Sequence, residues 1–346
     1  LSSARSRRRL AAGLLGALVW AAAACHDEPE PGEASVPETR PQRGLWVLCQ
    51  GSQRVLDHPE KLPGLLADAR ALGVTDLFVQ VYRGGRAWFD SSLADATPYV
   101  ELRQRSGEDT FARLIAEAHA EGVRVHAWVN VLNLADNKQA PILQDLGRDA
   151  VLVDQRGRSL LDYPKLDVPP PDRRYYRLGT PGVWLDPAAP GVAARLTETF
   201  SQLLARYPDL DGLHLDYIRY PGVLPFSPGS RFGVGLDLGH GEATRARFRT
   251  ETGLEPPSPP ERLAHANRWD AWRRDQVTQL VRSIADAARR VRPEVVLSAA
   301  VWSHADRAYL SVGQDWRGWL DEGLLDLAVP MAYTLDTRLL RYQVQG

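Results

Sequence analysis

The chain has 346 residues, of which 44% are hydrophobic and 25% charged, with a formal net charge of -1. That balance lacks the basic surplus of a nucleic-acid-binding protein and favours a neutral, hydrogen-bonding partner. The length suits one large domain or two small ones, and the ten Trp and eleven Tyr serve equally as core material or as flat apolar faces for a ligand.

The first segment, SRRRL followed by AAGLLGALVWAAAAC, has the basic, apolar and small-residue regions of an export signal over residues 1–25. Its apolar run, Leu10 to Ala24, is too short for a comfortable membrane span. Ala22-Ala23-Ala24-Cys25 resembles a bacterial lipobox with Ala in place of the usual Leu, so Cys25 is expected to carry lipid and to place the protein on a membrane facing the periplasm or exterior. Cleavage with Cys25 left as a thiol is the alternative, and a twin-arginine route is compatible with the arginines. A lipidated Cys25 leaves Cys49 without a partner, so no disulfide is expected. Residues 26–43, HDEPEPGEASVPETRPQR, are rich in Pro and Glu, cannot bury a core, and read as a tether.

From residue 44 to 346, apolar strands alternate with helical patterns. GLWVLCQ precedes a helix near Pro59 to Leu72; DLFVQVY precedes one near Thr110 to Glu121; RVHAWVN is followed by a long irregular insertion and a helix near Gly191 to Tyr207. LDGLHLDYI, a Pro/Gly-rich loop, a helix near Arg262 to Val291, VVLSAAVW, the short helix DWRGWLDEG and LLDLAVPMAY complete the pattern. Such repetition predicts a parallel sheet, either doubly wound or a (β/α)8 barrel. Strand alternation favours the barrel. Leu77, Val79 and Val81 share one face, as do Val125, Ala127 and Val129; these suit outer helices. Phe78, Gln80, Tyr82, His126, Trp128 and Asn130 share the other, with Trp46, Gln50, His214, Asp216, Ser298 and Trp302, and would point into a lumen normally filled by aliphatics. About six strands are countable, and the chain stops thirteen residues past Tyr333. The expectation is therefore a barrel incomplete at its C-terminus, because an open parallel sheet exposes edges that proteins protect.

Active sites of (β/α)8 enzymes lie at the C-terminal ends of strands, where this sequence concentrates its unusual residues. Gln80 and Tyr82 end the second strand and lead into RGGRAWFDS with Arg83 and Arg86; Asn130 ends the third; His214 and Asp216 close the fourth; Trp302 and Tyr333 end the fifth and sixth. Against the functional reading, Asp216 could simply hold Arg219 or a loop amide, His214 could be a satisfied core donor, and Trp302 and Tyr333 could be rim packing. His126, deeper in its strand, reads as structural.

RGLWVLCQ, QVYRGGRAWFDS, HAEGVRVHAWVNV, WLDPAAPGV, DGLHLDYIRYP, WDAWRRDQV, LSAAVW, QDWRGWLDEGLLD and VPMAYT follow one another in the order found in glycosyl-hydrolase-like family ten, a bacterial (β/α)8 group of exported and lipid-anchored proteins that this chain resembles from Arg43 to Thr334. The resemblance implies hydrolysis of a glycan outside the cytoplasm, with bacterial cell-wall glycan strands as the substrate class. Many members carry two adjacent aspartates where this chain has Asp216-Tyr217. DGLHLDYI and VPMAY also resemble strand-end motifs of family-eighteen chitinases, but their general-acid glutamate would fall at Ile218, which cannot donate a proton.

Glycoside hydrolysis ordinarily needs two carboxyl groups. Asp216 is the expected acid, with a pKa raised by enclosure among Tyr217, Tyr220 and Trp302. Asp315 in QDW is the preferred partner over Asp336 and Asp306, although it could instead cap the helix WRGWL. Trp46, Gln80, Tyr82, Arg83, Arg86, Asn130, His214, Tyr217, Arg219, Tyr220, Trp302 and Tyr333 complete the expected substrate-binding set. A non-catalytic glycan-binding lipoprotein is the first rival reading. A metal-dependent hydrolase using His214 and Asp216 is the second, but it lacks a third ligand at a compelling spacing. No GxGxxG, P-loop, HExxH, GxSxG or CxxC pattern occurs, so no cofactor is expected.

Overall fold

The computed structural model describes residues 41–163, 168–173, 177–224, 236–257 and 263–345. Cys25, the export signal and most of the tether lie outside them.

Six parallel strands form the main path of the sheet, β1 (Gly44–Val47), β2 (Asp76–Arg83), β3 (Arg124–Asn130), β4 (Gly212–Asp216), β5 (Val296–Trp302) and β6 (Leu327–Met331), and a two-residue antiparallel strand, Arg86–Ala87, pairs with β2. The six pair in strict sequence order. This order separates the two architectures the sequence allowed. A doubly wound sheet reverses its strand order at a switch point, sending helices to both faces. Consecutive right-handed crossovers send every helix to one face and leave the other as a lumen. The sheet is thus part of a (β/α) barrel wall, with β1 and β6 as its edges.

The helices explain the aliphatic face. The helix α1 (Leu62–Leu72) buries Leu62, Leu66 and Ala69 and ends on Gly73, whose left-handed φ of 63° lets the chain turn into β2. Asp109 caps α2 (Thr110–Ala120), accepting from the Ala112 amide at 3.1 Å. In α3 (Val192–Arg206), Val192, Leu196, Phe200, Leu203 and Leu204 recur at helical spacing and are buried. They join Leu77, Val79, Val125, Ala127, Leu213, Leu215, Leu297 and Ala299 in one core, each fully burying side chain contributing roughly 1.5–3 kcal/mol. The longest helix, α4 (Leu263–Val291), is followed beyond β5 by α5 (Ala305–Val312) and α6 (Trp316–Asp321).

The strand-leading aspartates act at the opposite end of the barrel from the site. Asp76 meets His126 at 2.9 Å and Arg124 at 2.8 Å, so His126 is the structural histidine its depth suggested. Asp211 accepts from the Val125 amide and Asp326 from the Leu297 amide, both at 2.7 Å. Each ties a strand start to its neighbour, as the N-terminal face of such a barrel requires for stability.

Lumen residues stack in layers set by the strand register. Trp46, Phe78, His126 and Gly212 form one row. Trp46 stacks on Phe78 and Phe78 on His126, while a Cβ at Gly212 would run into the His126 ring, so only glycine admits that imidazole. Gln80, Trp128, His214 and Ser298 form the next row, and Asn130 with Asp216 the row above it. A bulge in β2 shifts the register between Gln80 and Tyr82, so Tyr82 pairs with Val129. That places Tyr82 on the helix side, edge-on to Phe200 of α3 at 5.4 Å and buried, which corrects its assignment to the lumen and to substrate binding.

Candidate active site

Asp216 is the last residue of β4 and belongs to the uppermost polar row. Its Oδ1 accepts from the Tyr217 amide at 2.7 Å and its Oδ2 from the Trp128 indole N–H at 3.1 Å. It keeps 8% of its surface. Burial pushes its pKa up; the Tyr217 amide, the charge of Arg219, the Trp128 indole and Arg83 pull the other way without cancelling that shift. A carboxyl balanced in this way can both hold and release a proton, as a general acid requires.

The backbone turns sharply at the next residue. Tyr217 has φ 52°, in the left-handed region that Asp, Asn and Gly tolerate better than a bulky residue. The strained turn aims the Tyr217 amide back at Asp216 and its ring outward, edge-on to Trp184 at 5.4 Å. Tyr217, Arg219, Trp302 and Tyr333 line a cleft of about 530 Å³ with Thr180 and Arg307. Tyr333 is 87% exposed and sits at the rim. The cleft is therefore lined by the aromatic residues Tyr217, Trp302 and Tyr333, a residue type suited to the apolar faces of sugar rings.

A second depression of about 390 Å³ contains Gln50, Arg83 and Arg86, with Gly182 approaching the Ala135 carbonyl too closely to admit a Cβ. Arg86 pairs with Asp95 at 3.5 Å, and the charge of Arg83 is felt at Asp216. A buried polar chain lies beside and below Asp216. The Cys49 thiol donates to Gln80 Oε1 at 3.1 Å, and Gln80 Nε2 donates to Asn130 Oδ1 at 3.2 Å. Burial pushes the Cys49 thiol up to about 12, so it stays protonated as a donor. Gln80, one row deeper, and Asn130, level with Asp216, hence brace the site from inside the barrel.

Besides Tyr82, four further expected site residues lie elsewhere. His214 is one row deeper than Asp216 and fully buried; its Nδ1 meets Ser298 Oγ at 2.8 Å and its Nε2 takes the Trp46 indole N–H at 3.4 Å. Burial, with the charge of His126, lowers its pKa to about 3, so it is a neutral core imidazole with both nitrogens engaged, and it neither reaches sugar nor is free to ligate a metal. Trp46, its partner, lines a different surface beside α1. Tyr220 points away from Asp216 into a buried network where its ring lies under Arg273 of α4 at 5.5 Å. Arg273 in turn donates to Asp237 at 2.6 Å and Asp270 at 2.7 Å. Finally, Asp315 accepts from the Gly318 amide at 3.3 Å as the N-cap of α6, the capping role weighed against its catalytic one. Asp336 likewise accepts from the Arg338 amide at 2.8 Å. No carboxylate lines the cleft itself among the described residues; Asp216 sits beside it, next to the lining residue Tyr217.

Trp128 and Trp184 were not singled out as site residues in the sequence, although both fall in its quoted motifs, RVHAWVN and WLDPAAPGV. Trp128 holds Asp216 and Trp184 supports both Tyr217 and Arg219.

A consecutive parallel barrel wall with an acid at a strand end beside an aromatic cleft defines a glycosidase-like (β/α) protein. The model of the family "Glycosyl hydrolase-like 10" matches residues 41–345, and the chain belongs to that family. It is 24% identical to glycosyl hydrolase DigH of Escherichia coli (strain K12), covering 88% of this chain and 68% of that protein. It is 23% identical to glycosyl hydrolase YngK of Bacillus subtilis (strain 168), covering 88% of this chain and 56% of that relative. Among solved structures, a catalytic mutant of a β-galactosidase from G. stearothermophilus superposes with a TM-score of 0.52 at 13% identity, over 88% of this chain and 42% of that one. At that identity the likeness is one of fold.

Proposed function

We propose that the chain is a glycoside hydrolase acting on bacterial cell-wall glycan strands, with Asp216 as the general acid. The observation that carries this reading is the Asp216 carboxyl, its pKa raised by burial, held by Trp128 and the Tyr217 amide next to a cleft walled by Tyr217, Trp302 and Tyr333. Protonation of a glycosidic oxygen by such a carboxyl contributes about 10²- to 10⁴-fold to the rate. The relatives' names, both glycosyl hydrolases, support the same reaction class. Export and anchoring through a lipidated Cys25 belong to this proposal and rest on the residues of the N-terminal segment. Incubating the protein with purified wall glycan and counting new reducing ends tests the reaction; an unchanged count refutes it.

A second reading has its own observation. Asp315 and Asp336 are occupied as helix caps and neither lines the cleft, so no partner carboxylate is offered there for a two-carboxylate mechanism among the described residues. A non-catalytic glycan-binding protein on the same fold would need only the aromatic cleft. Retention of wall glycan without new reducing ends would select it.

A further inference from the structure

The aromatic cleft continues past Trp302. Ser303 and His304, which follow Trp302 at the end of β5, line both the cleft and a second depression of about 370 Å³, so the two adjoin along these residues. Tyr342 and Gln343 of the helix α7 (Thr337–Gln345) line the second depression as well. The loop after β6 sets where this helix begins. Asp336 accepts from the Arg338 amide at 2.8 Å and the Leu339 amide at 3.2 Å, while Thr334 Oγ1 accepts from the Asp336 amide at 3.1 Å. Tyr342 then falls in the second turn of α7, and its ring lies 6.0 Å from that of His304, inclined by 47°.

Tyr342 is 68% exposed. A ring left so open gains little from burial within the fold, but it offers a flat apolar body with a polar tip, the combination that takes a sugar ring. Asp306 and Arg317 line the same depression with opposite charges, so the lining favours neither an anion nor a cation. Ser303, His304 and Asp306 supply hydrogen-bond partners for hydroxyl groups. The cleft, at about 530 Å³, and the depression, at about 370 Å³, each reach the size of a small-ligand site, roughly 300–1,000 Å³.

We propose that the depression between His304 and Tyr342 is a distal sugar subsite, reached from Asp216 along Trp302, Ser303 and His304, through which the protein selects long glycan over short. It rests on the reading of the cleft as a glycan site and stands under either the hydrolytic or the binding form of that reading. A short oligosaccharide is held in the cleft alone. A longer one carries on over Ser303 and stacks a further unit on Tyr342.

The test measures binding by calorimetry to full-length protein carrying Asp216→Asn, so that turnover does not intervene. The probes are the disaccharide and the hexasaccharide of β-1,4-linked N-acetylglucosamine, which are uncharged and differ in length alone. The hexasaccharide is expected to bind more tightly. Adding Tyr342→Ala should weaken the hexasaccharide about 2- to 10-fold, the range of an aromatic stacking contact, and leave the disaccharide unchanged. Tyr342→Phe keeps the ring face and should restore the hexasaccharide. A hexasaccharide bound no more tightly than the disaccharide, equal weakening of both by Tyr342→Ala, or a loss at Tyr342→Phe as large as at Tyr342→Ala each overturns the subsite. Reducing-end release from wall glycan by wild type, followed alongside, separates the subsite from the reaction. Release without the Tyr342-dependent length preference removes the subsite and leaves the hydrolase standing; the length preference without release does the reverse.

Discussion

Replacing Arg273 by Met would remove the cation that bridges Asp237 and Asp270 while keeping much of the stem that packs in α4. The Arg273 side chain is 11% exposed and donates to both carboxylates, and its guanidinium lies within 5.6 Å of the Tyr220 and Trp269 ring centroids. Burial pushes the Asp237 pKa up, but Arg273 and His240 more than offset it and hold the carboxyl well below the usual range. Breaking a buried ion pair by removing one partner costs about 3–5 kcal/mol, because the other charge is stranded. His240 still meets Asp237 at 2.7 Å in the variant, which puts the expected loss near the lower end, about 3 kcal/mol. Equilibrium urea unfolding followed by circular dichroism reads this directly. Arg274→Met is the control. Its guanidinium lies 3.5 Å over the Tyr309 ring and donates to the Tyr309 carbonyl, but it serves no carboxylate within α4, so a loss below about 1 kcal/mol is expected. A loss at Arg273→Met no larger than at Arg274→Met would refute the reasoning that Arg273 compensates two buried carboxylates.

Acid stability should depend on Asp76, whose pKa is lowered from 3.8 to about 2 because His126, Thr75 and Arg124 outweigh the burial that would raise it. A depressed carboxyl contributes stability that is fully present above its unfolded value and lost as pH falls through the folded one. The gap in unfolding free energy between wild type and Asp76→Asn should therefore narrow from about pH 4 to pH 2, and a gap independent of pH would contradict this assignment. At the N-terminus, metabolic labelling with radioactive palmitate should mark the wild-type protein in a bacterial host and not Cys25→Ser; equal labelling would exclude Cys25 as the lipid attachment point.

The strands were legible because their alternation separates a helix-facing aliphatic set from a polar set, and RVHAWVN has the observed bounds of β3. Tyr82 was misplaced because alternation extrapolates one face along a strand, whereas a one-residue bulge after Gln80 exchanges the faces. His214 and Asp216 share a face, but face does not reveal depth. One row decides that His214 is fully buried against Trp46 and Ser298 while Asp216 keeps 8% of its surface beside Tyr217, which lines the cleft. Tyr220 lies past the strand, where no periodicity fixes a direction and only the long-range partner Arg273 does. Asp315 shows the opposite case: an Asp ahead of WRGWL is an N-cap pattern, and local chemistry won over the catalytic role. Trp128 escaped because an indole N–H looks like core filling until the carboxylate it serves is placed above it.

The role of Asp216 is tested most directly by measuring reducing-end release and glycan retention side by side for wild type and Asp216→Asn. The account predicts that wild type releases ends, that the variant falls by about 10²- to 10⁴-fold, and that retention by the variant survives. An Asp216→Asn protein that still cleaves at the wild-type rate would contradict it.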